Sequence, residues 1–221
     1  MSAKKDIAGI IRNMSGRFSG YQIFSDWVEC SALAIANACR LIHDKIWTER
    51  EERYKAVISK YSDEEKNKFS EMFALLVQAY EEDVTDVLGE IYMEAELGSK
   101  VTGQFFTPYH LSKLCASLVN PASTESFSDE LTTLNEPSCG GGGMIIATAA
   151  VMKEAGIDYQ KRLRVVAQDL DWRCVYMCYV QLSLLGIDAI CVQGNTLQEP
   201  FTLGYDEGRI LITPRRAGCL I

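Results

Sequence analysis

Four consecutive glycines, Gly140 to Gly143, follow the tripeptide Glu136-Pro137-Ser138 and a short apolar run from Leu131 to Leu134. An apolar-rich stretch, Met144 to Glu154, comes next, so the segment reads as strand, tight turn and helix. Glycines in such a turn permit positive φ and close approach of a ligand, and the free N–H groups of the new helix face it. Dinucleotide sites use the same geometry with G-x-G-x-x-G and a phosphate. Here a carboxylate, Glu136, stands at the strand end and suits a ligand carrying positive charge, such as an ammonium or a sulfonium. A plain flexible turn between strand and helix accounts for the same glycines equally well.

Two later segments extend the pattern. Residues Arg162 to Gln168 predict a strand ending at Asp169, where a Rossmann-like fold puts an acid on ribose hydroxyls. Asp171 reads as the N-cap of a helix from about Trp172 to Leu185, stopped by Gly186. A strand from Asp188 to Gln193 then meets Gly194-Asn195-Thr196, and the Asn195 amide can both donate and accept, although a turn residue is the default for an isolated Gly-Asn. Upstream, Thr107-Pro108 has the form of a helix start, the helix running through Leu111, Leu114, Cys115 and Leu118. Phe105 and Phe106 precede it and read as a hydrophobic staple and core filler.

In this order and spacing, Gly103-Gln-Phe-Phe-Thr-Pro108 followed by Asn135-Glu-Pro-Ser-Cys-Gly-Gly-Gly-Gly143 resembles the cofactor half of the adenine-N6 DNA methylases, especially the modification subunits of type I restriction-modification systems. The likeness runs from about Asp86 to Asn195 and includes Asp86-Val-Leu-Gly-Glu-Ile-Tyr92. It implies S-adenosylmethionine as cofactor, held by Phe105, Phe106, Thr107, Glu136, Pro137, Ser138, Gly140, Gly141, Gly142, Asp169, Leu170, Asn195 and Thr196. It also implies DNA as substrate, read by a separate specificity subunit.

The likeness departs from the family at the catalytic element. The family carries Asn, Asp or Ser, two prolines and an aromatic after the fourth strand; oxygens there accept the hydrogens of the target amino group, and the ring stacks on the flipped-out base. Here a fourth strand is expected at Arg209 to Thr213, running into Pro214-Arg215-Arg216. Thr213 and Pro214 thus occupy the catalytic place, with a hydroxyl for the amide and arginines for the second proline and the ring.

These elements predict an α/β chain: a helical subdomain over residues 1–100, then a Rossmann-like methyltransferase domain over 101–221, its sheet of four parallel strands incomplete and truncated after the fourth. The helices are expected over Tyr21 to His43, Thr48 to Lys60 and Ser62 to Leu97, the last opening on a capping box at Ser62-Asp-Glu-Glu65. The segment Asn120 to Glu130, rich in Ser and Thr, predicts a loop. An open parallel sheet leaves an edge that proteins cover, which points to a homo- or hetero-oligomer.

The 221 residues suffice for a substantial core. Eight cysteines without a C-x-x-C pair and only two histidines fit buried thiols in a reducing cytoplasm better than disulfides or zinc. Cys174 and Cys178 lie one helical turn apart without a second ligand pair, and Cys139 lacks a partner motif for nucleophilic catalysis. Neither a secretory signal nor a membrane-spanning run is expected. The net charge of −8 opposes direct approach to phosphates, so DNA is expected through a partner; Arg209, Arg215 and Arg216 form a small basic cluster that either meets a phosphate or blunts a sheet edge. Three functions follow: an adenine-N6 DNA methyltransferase, a non-catalytic cofactor-binding partner or decoy that modulates a methylase, and an unrelated nucleotide-binding module.

Overall fold

The computed structural model describes residues 3–94, 106–119, 131–202 and 204–219. Five helices come first: α1 (Ala3–Met14), α2 (Gly20–Ala38), α3 (Lys45–Ile58), α4 (Asp63–Glu82) and α5 (Val87–Glu94). Their starts follow the sequence. Ser19 accepts from Gln22 N at 3.2 Å to open α2, and the reciprocal Ser62 and Glu65 bonds close the capping box of α4. The single helix expected over Ser62 to Leu97 is broken, because Asp83 is extended and its carboxylate accepts from Val84 N at 2.7 Å. A local side-chain bond of this kind competes with helix continuation. The break turns α5, with Asp86 just before it, in against the rest of the molecule.

The remaining elements are α6 (Tyr109–Val119), β1 (Thr132–Glu136), α7 (Gly143–Glu154), α8 (Tyr159–Arg162), β2 (Leu163–Asp169), α9 (Trp172–Leu184), β3 (Asp188–Gln193), one 3-10 turn (Glu207–Arg209), β4 (Ile210–Ile212) and α10 (Pro214–Ala217). The sheet order is β1-β2-β3-β4, with β1, β2 and β3 parallel. Pairing of Glu136 with Ala167 and of Asp169 with Gln193 brings the carboxyl ends of all three strands to one edge.

β4 corrects the expectation of a fourth parallel strand. It runs antiparallel to β3, with Val192 opposite Ile210 and Ile190 opposite Ile212. A parallel return needs a long crossover, usually a helix. Among its described residues the β3–β4 connection contains only the 3-10 turn, and it is held at the carboxyl end of the sheet: Gln168 Nε2 donates to Glu199 O (3.0 Å), Phe201 N donates to Gln168 Oε1 (3.1 Å) and Arg209 Nε donates to Gln193 O (2.9 Å). The chain therefore re-enters from the end it just left.

One continuous apolar core runs from Ile7, Ile23 and Trp27 through Leu88 and Ile91 to Ile145, Val165, Tyr179 and Ala189, so the helical part and the sheet share it. Within it α2 packs on α9, α9 on β2 and β3, and α6 on α7. Leu163, Val165 and Ala167 of β2 are buried, whereas Arg164 between them is exposed. Exposed Thr133 and Asn135 pair with Arg164 and Val166, and Ile212 is 44% exposed. On α6, Ser112 and Ala116 are the buried residues, while Leu111, Leu114, Cys115 and Leu118 face outward. No helix among the described residues is long and apolar enough to cross a membrane.

Candidate cofactor site

β1 ends at Glu136, and the chain then makes a tight turn in which Gly142 N donates to Cys139 O at 2.8 Å. Gly140 has φ +52° and Gly142 +95°, backbone that a residue with a Cβ adopts only under strain. Space is as restrictive as conformation. A Cβ on Gly142 would lie 3.1 Å from Cys178 Sγ, one on Gly141 3.2 Å from Met177 Cε, and one on Gly140 3.2 Å from the Phe106 ring. The turn is thus pressed between α9 on one side and Phe106 on another, and at Gly140 and Gly142 both conformation and space favour glycine.

Asp169 clasps this turn. Its Oδ2 accepts from Gly140 N at 2.9 Å and its Oδ1 from Asp171 N at 3.0 Å, while its carbonyl accepts from Gly194 N at 2.8 Å. One residue therefore joins the loops after β1, β2 and β3. The turn after β3 is joined to the one after β1 again by Thr196 Oγ1, which donates to Pro137 O at 2.6 Å. Asn195 Oδ1 accepts from Leu197 N at 3.1 Å in an Asx turn. Leu170, 65% exposed, presents an apolar face beside Asp169, its carbonyl held by Gln193 Nε2 at 2.7 Å.

The electrostatics favour a cation. Burial pushes the Glu136 carboxyl up, a bond from Ser138 N opposes this, and the Asp169 charge adds to the rise. The Asp171 carboxyl is also raised by burial, with the same neighbour contributing, although it caps α9 through Arg173 N at 2.9 Å as the sequence predicts. The Asp171 charge is met by the Arg173 guanidinium at 2.5 Å, so it is Glu136, raised chiefly by burial, that gains from a positively charged ligand.

Phe106 lies with its ring 4.9 Å, centroid to centroid, from that of Tyr92 in an edge-to-face contact, and against Gly140. Thr107 is exposed and Pro108 stands just before α6. Phe105 lies outside the described residues.

Thr213 and Pro214 lie apart from these residues. Thr213 is fully buried; its hydroxyl donates to Ile187 O at 2.7 Å and accepts from Ala189 N at 3.0 Å, at the beginning of β3. Because β4 is antiparallel, it delivers Thr213 to the amino end of β3, opposite the edge that holds Glu136 and Asp169. Pro214 is the buried first residue of α10.

The expected basic cluster does not form, since Arg209 lies at the carboxyl end of β3 and Arg215 and Arg216 near its amino end, and each is engaged. Arg209 makes two bonds to Glu199 (2.9 and 2.5 Å), Arg216 pairs with Asp188 at 3.4 Å and Arg215 donates to Gln160 O at 3.1 Å. The Cys139 thiol is held neutral, pushed up by its bond with Cys178 and by burial, which removes it as a nucleophile. No group of three metal-ligating side chains occurs among the described residues.

Sequence reasoning missed two glutamines. Gln168, buried in β2, anchors the β3–β4 connection, and Gln181, buried in α9, bonds to the Gly141 carbonyl at 2.6 Å. A polar residue in an otherwise apolar strand or helix face was the available signal, since buried amides are retained where they are bonded.

No curated protein matches the chain. Residues 83–209 match the N-6 DNA methylase family, a stretch that opens at the α4–α5 break, takes in the glycine turn, Asp169 and Asn195, and ends before β4. With that match spanning more than half of its residues, the chain belongs to the N-6 DNA methylase family.

Proposed function

We propose that this chain is the S-adenosylmethionine-binding part of an adenine-N6 DNA methylation system of the restriction-modification kind, resembling a type I modification subunit. The observation that carries the reading is the convergence of Glu136, the glycine turn, Asp169 and Asn195 on one sheet edge, with Phe106 against the turn. The donor set suits the cofactor. Glu136 meets its cationic end, Asp169 keeps lone pairs for the ribose hydroxyls beside its two backbone bonds, and Leu170 and Asn195 flank the adenine. Pro137, Ser138, Gly140, Gly141 and Gly142 line the approach, Thr196 holds it closed from the β3 side, and Phe106 and Thr107 cover it; a role for Phe105 rests on the family resemblance alone. When bound, the cofactor supplies an electrophilic methyl group on a sulfonium.

The acceptor side comes from elsewhere. The chain contains no Asn-Pro-Pro or Asp-Pro-Pro, and Thr213 is engaged at the far end of the sheet. That favours a cofactor-holding partner, or a decoy that modulates a methylase, over a self-sufficient enzyme. The net charge of −8 favours DNA contact through another subunit. A nucleotide-binding module is disfavoured because Glu136 and Asp169 repel phosphate.

Titration calorimetry with S-adenosylmethionine, S-adenosylhomocysteine and ATP tests the reading on wild type and Glu136→Gln. Both adenosyl ligands bind and ATP does not, and Glu136→Gln weakens S-adenosylmethionine by about tenfold or more, the scale of one charge-assisted contact. Failure of wild type to bind either adenosyl ligand overturns it.

A further inference from the structure

Gln181 sits in the last turn of α9, fully buried, with all four of its amide hydrogen-bonding positions filled. Its Oε1 accepts from the Tyr80 hydroxyl and from Leu88 N (2.9 Å), and its Nε2 donates to Asp86 Oδ1 (2.8 Å) and to Gly141 O (2.6 Å). The amide orientation is forced. A backbone N–H only donates and a carbonyl only accepts, so oxygen must face Leu88 and nitrogen must face Gly141. Asp86 extends the tie: it accepts from Gly89 N at 3.0 Å, and its other oxygen lies 2.9 Å from where a Cβ on Gly143 would stand, at the start of α7.

We propose that Gln181 is the positioning residue of the cofactor turn, holding the Gly141 carbonyl inward from α9 and tying the turn to α5 through Leu88 N and Asp86, so that the start of α5 sets ligand affinity. The inference rests on the reading of the turn as the S-adenosylmethionine site. Buried amide networks of this kind specify one conformation when every member is satisfied. Removing the donor to Gly141 frees a carbonyl that then turns toward the ligand space, where it displaces the N–H groups that should face it.

The test uses the full chain and three readouts: hydrogen–deuterium exchange of residues 138–143, titration calorimetry with S-adenosylhomocysteine, and melting temperature. Gln181→Met keeps the volume and loses both donors and the oxygen that accepts from Tyr80 and Leu88, so the melting temperature falls; turn exchange rises and affinity falls, each by about tenfold or more, the scale of one buried bond left unmade at Gly141. Tyr80→Phe removes only one donor to Oε1, so the melting temperature drops while affinity stays within about twofold of wild type, as the Gly141 bond is kept. Equal exchange at 138–143 in Gln181→Met and wild type, or a melting loss without any change of affinity, overturns the proposal.

Should Gln181→Met not fold, native-state exchange of the wild type decides. The turn (138–143) and the α5 segment (86–91) open together with the same denaturant dependence if Gln181 couples them, and separately if it does not. Absence of S-adenosylhomocysteine binding by wild type sinks the cofactor reading, while the exchange comparison still judges the tie to the turn.

Discussion

Replacing Asp169 by asparagine separates two jobs that the carboxylate does at once. Its two oxygens accept from different backbone donors, Gly140 N at 2.9 Å and Asp171 N at 3.0 Å. Asparagine has one oxygen, so whichever way it turns, its NH2 group confronts an N–H. One bond is lost and a donor is left facing a donor. A bond to a charged acceptor contributes about 1.5–3 kcal/mol, and Asp169 is only half-buried, so about 1.5–2 kcal/mol is expected. For a chain of this length about 1 kcal/mol moves the melting temperature by about 2–4 °C, giving a fall of about 3–8 °C. Calorimetric melting reads this directly.

The same substitution acts on ligand affinity through the loosened turn and the altered ribose contact; a loss of about 1.4–2 kcal/mol corresponds to about 10- to 30-fold weaker S-adenosylhomocysteine binding in titration calorimetry. The two readouts part company if the reasoning is wrong. Wild-type melting shows that the clasp carries no stability, and lowered melting with wild-type affinity removes Asp169 from the ligand site.

Gly142→Ala, with φ +95° and Cys178 Sγ 3.1 Å from its new Cβ, should cost more than the roughly 1–2 kcal/mol of left-handed backbone alone and should weaken S-adenosylhomocysteine binding. Gly156→Ala, at φ +76° in open space, should cost about 1 kcal/mol with affinity unchanged; urea unfolding of both checks this, and equal effects refute the packing argument. Thr213→Val leaves Ala189 N without its side-chain acceptor and should lower stability by about 1–3 kcal/mol while cofactor affinity stays at wild type; an affinity loss without a melting change would restore Thr213 to the site. Asp44, N-cap of α3, is held down to about 2, first by its bond from Arg40 and then by Trp47 N. Because its folded value lies below the ordinary 3.8, its contribution is present above that value and is lost as pH falls through about 2; a carboxyl NMR titration with a midpoint near 3.8 contradicts this.

The strand–turn–helix around the glycines was legible because periodicity changes there and the glycines punctuate it, and the three parallel strands with α7 and α9 follow the same logic. The Asp171 and Ser62 caps were legible for the same local reason. Direction in the sheet was not. Ile210–Ile212 is an apolar triplet whose composition is the same whether it pairs parallel or antiparallel, and what decided it was the connection held by Gln168 and Arg209. Thr213 was matched to a catalytic place by order along the chain, whereas its position depends on which strand β4 pairs with. The break at Asp83 was hidden because a single side-chain bond competes there with an otherwise helical pattern. Gln181 was hidden because its four partners lie in other elements, three of them 93 or more positions away.

The antiparallel return of β4 gives the sheet a growth polarity. On that flank the strand is only three residues long, the chain passes at once into Pro214, and Arg50 Nη2 takes up the Ile210 carbonyl at 2.7 Å. Short strands and a proline are the usual means of stopping further pairing. The opposite flank, β1, ends beside the glycine turn and has no neighbour but β2 among the described residues. A strand added by another segment or another chain therefore finds its open edge on the flank that ends at Glu136, and whichever way it runs, one of its two ends comes to lie at the cofactor edge.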